Sequence, residues 1–212
     1  MENRRRVALA LEILYIPSST INEEGIMISI VALWEPILLS AIFVFVASSL
    51  IHMVLGYHAN DLRKLPDENS FANALRQLNI PPGEYIMPRA ADSKEMRSPE
   101  FKEKMKKSPA ALLTLWAGPR PSMAVNLVQW FLFSVMVGVF AAYVAGRALQ
   151  PGVAYLAVFR FVGVTAFCCY TVAGWQESIW YGRAWSTTFK STFDGLIYAL
   201  LTGGTFGWLW PQ

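Results

Sequence analysis

MAVNLVQWFLFSVMVGVFAAYVAG, residues Met123–Gly146, runs for twenty-four residues without a charge. A membrane-crossing helix needs about 20 largely apolar residues, because the hydrocarbon core is about 30 Å thick and each residue rises about 1.5 Å. Comparable stretches lie on both sides. Pro36–Leu55 is apolar except for His52, and it extends back through Trp34 and Val31 if Glu35 is included. Val153–Trp175 carries a single charge, Arg160. Gly195–Trp210 has only 16 residues. It is predicted either to cross with little tilt or to lengthen at its Asp194 end, and the competing reading is an interfacial or half-inserted hairpin. The expected fold is all-α: a polytopic membrane protein with a four-helix transmembrane bundle. Its spans cover residues 27–55, 123–149, 153–176 and 194–210. A partly helical cytoplasmic loop covers 56–122, and a shorter one covers 177–193.

Composition points the same way. Of 212 residues, 54% are hydrophobic and 16% charged, against about 25% charged in an average soluble protein. That excludes a disordered chain, a coiled coil and a nucleic-acid-binding domain. The two cysteines, Cys168 and Cys169, are adjacent in an apolar run. They form neither a disulfide framework nor a CxxC pair, and are expected to serve as small packing residues.

Charge placement sets the orientation. Gly56–Ser122 holds eleven Lys/Arg, and Arg183 and Lys190 add two more. The opposite side has Arg147, plus Arg4, Arg5 and Arg6 if the N-terminus is counted. Thirteen against one, or against four, puts both long loops in the cytoplasm and both termini outside. Trp34, Trp208 and Trp210 would then form an outer aromatic belt, and Trp116, Trp175, Trp180 and Trp185 an inner one.

Residues 1–26 fit this scheme poorly. Their basic cluster lies on the side that should be least basic, and Val7–Ile16 is broken by Glu12 and ends at Pro17. They are read as a non-native leader or a disordered extension, with translation starting at Met27. A signal peptide is the alternative.

The 67-residue loop is too long for a simple connection. Leu65-Pro66-Asp67-Glu68 reads as a helix start, followed by Phe71, Ala74, Leu75 and Leu78 on one face. Tyr85–Pro88 is expected to be extended, Pro99–Lys107 to be a short basic helix, and Ala110–Trp116 to lie on the membrane surface. A solvated cap is one reading of the loop. A docking site for a partner or for anionic headgroups is the other, with Lys102–Lys107 near the bilayer.

Charges at membrane depth are costly, so each marks a candidate site. Glu35 and Arg160 lie at matched depth on parallel spans and are expected to pair. The pair would be either a structural clamp or a polar constriction. His52, His58, Glu177 and Asp194 form a second candidate group at the inner end, with His52 and Asp194 within reach across the bundle. A metal site needs three or four ligands. His52 and His58, six apart on one helix, would face different directions, so no metal, haem or other cofactor is expected. Gly138, Ala142 and Gly146, and the pair Gly203 and Gly207, mark close helix contacts. No catalytic constellation is present, so no enzyme activity is expected.

Tyr57-His58 with Asp61, the Leu65–Glu68 run, Ser178-Ile179-Trp180, Gly182, Trp185, Asp194–Tyr198 and Gly203–Pro211 together resemble a family of uncharacterised bacterial four-span inner-membrane proteins. The resemblance spans nearly all of Met27–Gln212. It implies the four-span architecture and the Met27 start, and no activity or cofactor. The expected function is a non-catalytic accessory or scaffolding component that binds other membrane or cytoplasmic proteins. A homo-oligomeric translocator of protons or small solutes through Glu35 and Arg160 is the alternative. The expected surroundings are the lipid bilayer and protein partners, without nucleic acid.

Overall fold

The computed structural model describes residues 27–212. The reading of residues 1–26 as a leader lies outside them.

The chain enters its first helix through a 3-10 turn, Ile30–Leu33, with the Ser29 hydroxyl accepting the Val31 N–H at 3.3 Å. It continues as α1, Trp34–Leu50, and closes with a π turn, Ile51–Leu55. Gly56, at φ 65°, stops it in the left-handed region, where a residue without Cβ is at home. The cap follows, made of α2 (Glu68–Leu78), β1 (Gly83–Met87), α3 (Ser93–Arg97), α4 (Pro99–Lys107) and β2 (Ala111–Leu115). Next come α5, Met123–Ala148, and α6, Tyr155–Thr171. A 3-10 turn, Val172–Gly174, carries α6 on into α7, Trp175–Tyr181. The last helix is α8, Trp185–Trp208. Among the described residues, three helical segments are long and apolar enough to cross a membrane: Ile30–Leu55, Met123–Ala148 and Tyr155–Tyr181.

Side-chain volume explains how these helices pack. The faces turned inward carry small residues between larger ones such as Val44, Val137, Val162 and Phe206. The small ones are Ser40, Ala41 and Ser48 on α1, Gly138, Ala141, Ala142 and Ala145 on α5, and Gly195, Ala199 and Gly203 on α8. Buried hydroxyls are satisfied within their own helices: Ser134 donates to the Trp130 carbonyl at 3.0 Å, Thr171 to Phe167 at 2.7 Å and Thr202 to Tyr198 at 2.8 Å. Many large apolar side chains point the other way. Val31, Leu38, Ile42, Val46, Leu132, Phe140, Leu156 and Val164 are all exposed on the outside of the bundle. An outer surface this apolar has no counterpart on a water-soluble monomer and suits a hydrocarbon solvent.

In the bundle, α1 packs on α5 and α8, and α6 packs on the same two helices. That arrangement leaves α1 and α6 on a diagonal. The closest interface joins α6 and α8. There, a Cβ on Gly203 would sit 2.9 Å from the Phe159 carbonyl oxygen and 3.2 Å from the Gly163 Cα. At one end of the bundle the segments are latched together: Ile28 N–H donates to Gly146 at 3.2 Å, Gly152 N–H to Pro211 at 2.9 Å, and the Trp210 indole to Gln150 at 3.1 Å.

Several expectations are corrected. The helix predicted to begin near Asp194 begins at Trp185, so most of the expected 177–193 loop is helical. Thr187 and Thr188 are buried there, and Ser178 and Thr188 share a hydrogen bond at 2.6 Å, so polar residues extend the helix inward-facing. Ala111–Leu115 is not a free segment but a strand, paired antiparallel with β1 from Gly83↔Leu115 to Met87↔Ala111. Trp210 is 3% exposed and plugs the latch, whereas Trp34 and Trp208 do point outward. Cys168 faces out of the bundle and is not a packing residue.

Candidate functional site

The polar side chains converge at the other end, where the first helix gives way to the cap. Gly56 turns the chain back, and backbone bonds from Ala59 N–H to Gly56 and from Asp61 N–H to His58, both 3.0 Å, wind residues 56–61 into a tight coil. This coil lies against α8. One turn of α8 separates Lys190 from Asp194, so both project from the same face.

Five groups meet there. The Lys190 ammonium donates to the Tyr57 carbonyl at 2.7 Å and to Asp61 Oδ1 at 2.6 Å. His58 Nδ1 lies 2.6 Å from Asp61 Oδ2, and its Nε2 lies 2.8 Å from Asp194 Oδ2. The Tyr57 hydroxyl donates to Asp194 Oδ1. The His58 ring therefore bridges the two aspartates, one nitrogen to each. Two carboxylates are thereby balanced by the Lys190 ammonium and by contacts with the His58 ring and the Tyr57 hydroxyl. The balance matters because Asp194 is only 4% exposed, and an isolated charge at that depth would be severely penalised.

The surroundings move two of these groups outside the spans. For Asp61, burial alone would raise the carboxyl, but the hydrogen bonds from Lys190 and His58 outweigh it and hold the group below its usual value. Burial, then the hydrogen bond to Asp194, pushes the Tyr57 phenol up. Both shifts favour the charge states that keep the cluster intact.

His52 sits beside this network. On an unbroken helix it would diverge from His58, but the helix ends at Leu55 and the chain reverses at Gly56. The two imidazole centroids are therefore 4.6 Å apart, which corrects the expectation that they face different directions. His52, His58 and Asp194 each offer a ligand atom, and these atoms lie within 4.8 Å of one another.

The remaining residues singled out from sequence fall elsewhere. Glu177 is exposed, and its carbonyl receives the Arg183 N–H at 3.1 Å. It takes no part in the cluster, because α7 turns its side chain away. Glu35 and Arg160 form no ion pair with each other, and both are exposed. Equal depth is not enough to join them, since their helices are diagonal partners. Gly138 lies against Ile37, Ala142 is buried, and Gly146 lies against the Ile28 carbonyl. Gly203 meets the α6 backbone and Gly207 the Tyr155 ring.

Tyr57, Asp61 and Lys190 join the cluster without having been singled out as site residues. The i,i+3 spacing of His58 and Asp61 and the i,i+4 spacing of Lys190 and Asp194 were the available signals. Comparison of the chain with protein families, curated proteins and solved structures found no match.

Proposed function

We propose that the chain is a four-span integral protein of a bacterial inner membrane, N-out and C-out, and acts as a non-catalytic accessory or scaffolding component that binds other proteins. The fourth span in this reading is α8. Its 24 residues extend about 36 Å at about 1.5 Å each, and its two charges at the inner end are tied to the Tyr57 coil rather than presented to lipid. The eleven basic residues of the long loop favour its cytoplasmic placement.

The observation that carries the binding role is the cap. It is made of ordered elements, with α2 and α4 capped by Asp67 and Ser98 and with a two-stranded sheet. Yet it leaves Phe71, Leu78, Met96, Met105 and Leu112 exposed. Ordered apolar side chains with no internal cover are what an interaction surface presents. The translocator alternative loses the convergence of Glu35 and Arg160 that motivated it.

A photo-cross-linking amino acid at Phe71 in native membranes tests the reading. Discrete protein adducts that vanish in a Leu78→Asp background are expected. Adducts to lipid alone would overturn it.

A further inference from the structure

The chain has two histidines. Both are in one place, beside a buried aspartate, because a π turn and a left-handed glycine fold the end of the first helix back on itself. From this geometry we propose that His52, His58 and Asp194 form a binding site for a divalent transition-metal ion of the zinc type.

The donor set fits that class. Two imidazoles and one carboxylate oxygen, with ligand atoms within 4.8 Å of one another, match the nitrogen and oxygen preference of zinc. Three protein ligands leave a fourth position for water. His52 is exposed at the end of the first helix, beside the 56–61 coil.

The shell behind the ligands is also built. Metal-binding imidazoles generally donate their second nitrogen to a carboxylate, which fixes the ring, and ligating carboxylates are themselves hydrogen-bonded. His58 Nδ1 is held by Asp61 at 2.6 Å, which aims Nε2 at Asp194. Asp61 is fixed in turn by Lys190 at 2.6 Å. Tyr57 occupies Asp194 Oδ1, which leaves Oδ2 as the ligand atom. Beneath them, one turn further along α8, the Tyr198 hydroxyl is buried and has no hydrogen-bond partner among the described residues.

A purely structural charge cluster accounts for His58, Asp61, Lys190 and Asp194. It gives no role to His52, whose ring makes no hydrogen bond among the described residues and rests on a second imidazole. An ion shared by both rings supplies that role. On binding, the metal enters between His58 Nε2 and Asp194 Oδ2, and any proton held between them leaves to solvent. The two ligand atoms, now 2.8 Å apart, must separate to about 3.3 Å, the tetrahedral spacing for bonds of about 2.0–2.1 Å.

The test uses the full chain in mild detergent, purified through a tag without histidine and stripped with a chelator. Cobalt(II) is titrated as the spectroscopic probe, and zinc(II) as its competitor. One equivalent of cobalt with a strong tetrahedral ligand-field band, displaced by zinc, is expected. Asp61→Asn should weaken binding about 10- to 100-fold while keeping the band. His58→Ala and Asp194→Asn also break the structural tie, so the deciding variant is His52→Ala, whose ring holds nothing else in place. It should keep the wild-type melting temperature and lose at least 100-fold in cobalt affinity. No stoichiometric cobalt binding by the wild type, or wild-type affinity in a folded His52→Ala protein, would overturn the proposal.

Discussion

Adding one methyl group at Gly203 should separate α6 from α8, and the neighbouring glycines supply the controls. A Cβ at position 203 would lie 2.9 Å from the Phe159 carbonyl oxygen and 3.2 Å from the Gly163 Cα. Both are backbone atoms of the facing helix, so no rotamer change relieves the overlap and the helices must part. At Gly204 the nearest atom is the Tyr155 hydroxyl at 3.6 Å, an ordinary contact. Replacing glycine by alanine inside a helix gains about 0.8–1.0 kcal/mol in propensity, and that gain is common to both positions. The difference between the two variants therefore isolates the overpacking, which is worth about 1–3 kcal/mol. Gly207→Ala should fall between them. Its Cβ would sit 2.7 Å from the Tyr155 ring, but that ring is 47% exposed and free to swing aside. The assay is equilibrium unfolding in mixed detergent micelles with increasing SDS, followed by tryptophan fluorescence. The expected order of stability is Gly204→Ala, then Gly207→Ala, then Gly203→Ala, with Gly203→Leu well below all three. If Gly203→Ala proves as stable as Gly204→Ala, the backbone-to-backbone contact between α6 and α8 is refuted.

Removing the ammonium in Lys190→Met strips Asp61 Oδ1 and the Tyr57 carbonyl of their donor, so stability should drop by about 1–3 kcal/mol in the same unfolding assay, and Asp61→Asn in that background should recover part of the loss. Because Glu35 and Arg160 sit on diagonal helices, Glu35→Gln and Arg160→Met should be additive within about 0.3–0.5 kcal/mol; a larger coupling in the double-mutant cycle would place them in contact. Asp67 caps α2, and hydrogen bonds from the Ser70 side chain and backbone lower its carboxyl below 3.8, so its stabilising effect is present above that pH and disappears as pH falls through the lowered value. Amide exchange in α2 should accelerate over that acid range in the wild type and show no such step in Asp67→Asn. Reporter fusions at Lys104 and Gln212 should read cytoplasmic and external, respectively; cytoplasmic activity at Gln212 would reverse the orientation.

Long uncharged runs were the easiest part of this molecule to read. Three of them give helices long and apolar enough to cross a membrane. The first half of α8 was hidden for the opposite reason. Trp185–Phe193 mixes aromatic, hydroxyl and basic residues, so hydropathy alone ends the helix there. Its polar groups are satisfied by partners far away in sequence: Thr188 by Ser178, and Lys190 by a coil some 130 residues earlier. The site was legible only in pieces. His52, His58 and Asp194 stood out as polar residues at a span end, but their convergence depends on a chain reversal at Gly56 that helical periodicity does not encode. Matched depth suggested Glu35 and Arg160 as partners, yet depth fixes only height along the bundle. The rotation of each helix about its axis, and the order of helices around the ring, decide which residues of equal height touch.

The π turn at Ile51–Leu55 works as a register counter. Each residue of an α-helix advances the chain by about 100°, and a π turn holds one residue more than the α-helical turn it replaces. Everything downstream, from Gly56 through Asp61, inherits its angular position from that extra residue. Deleting one residue within Ile51–Leu55 would let the helix close regularly and swing the Tyr57–Asp61 coil about a quarter-turn around the bundle, away from Lys190 and Asp194. An in-frame loss there would leave the composition and apolar length of the span almost untouched. The acid and base that meet at the end of α8 would then face the wrong side of the molecule.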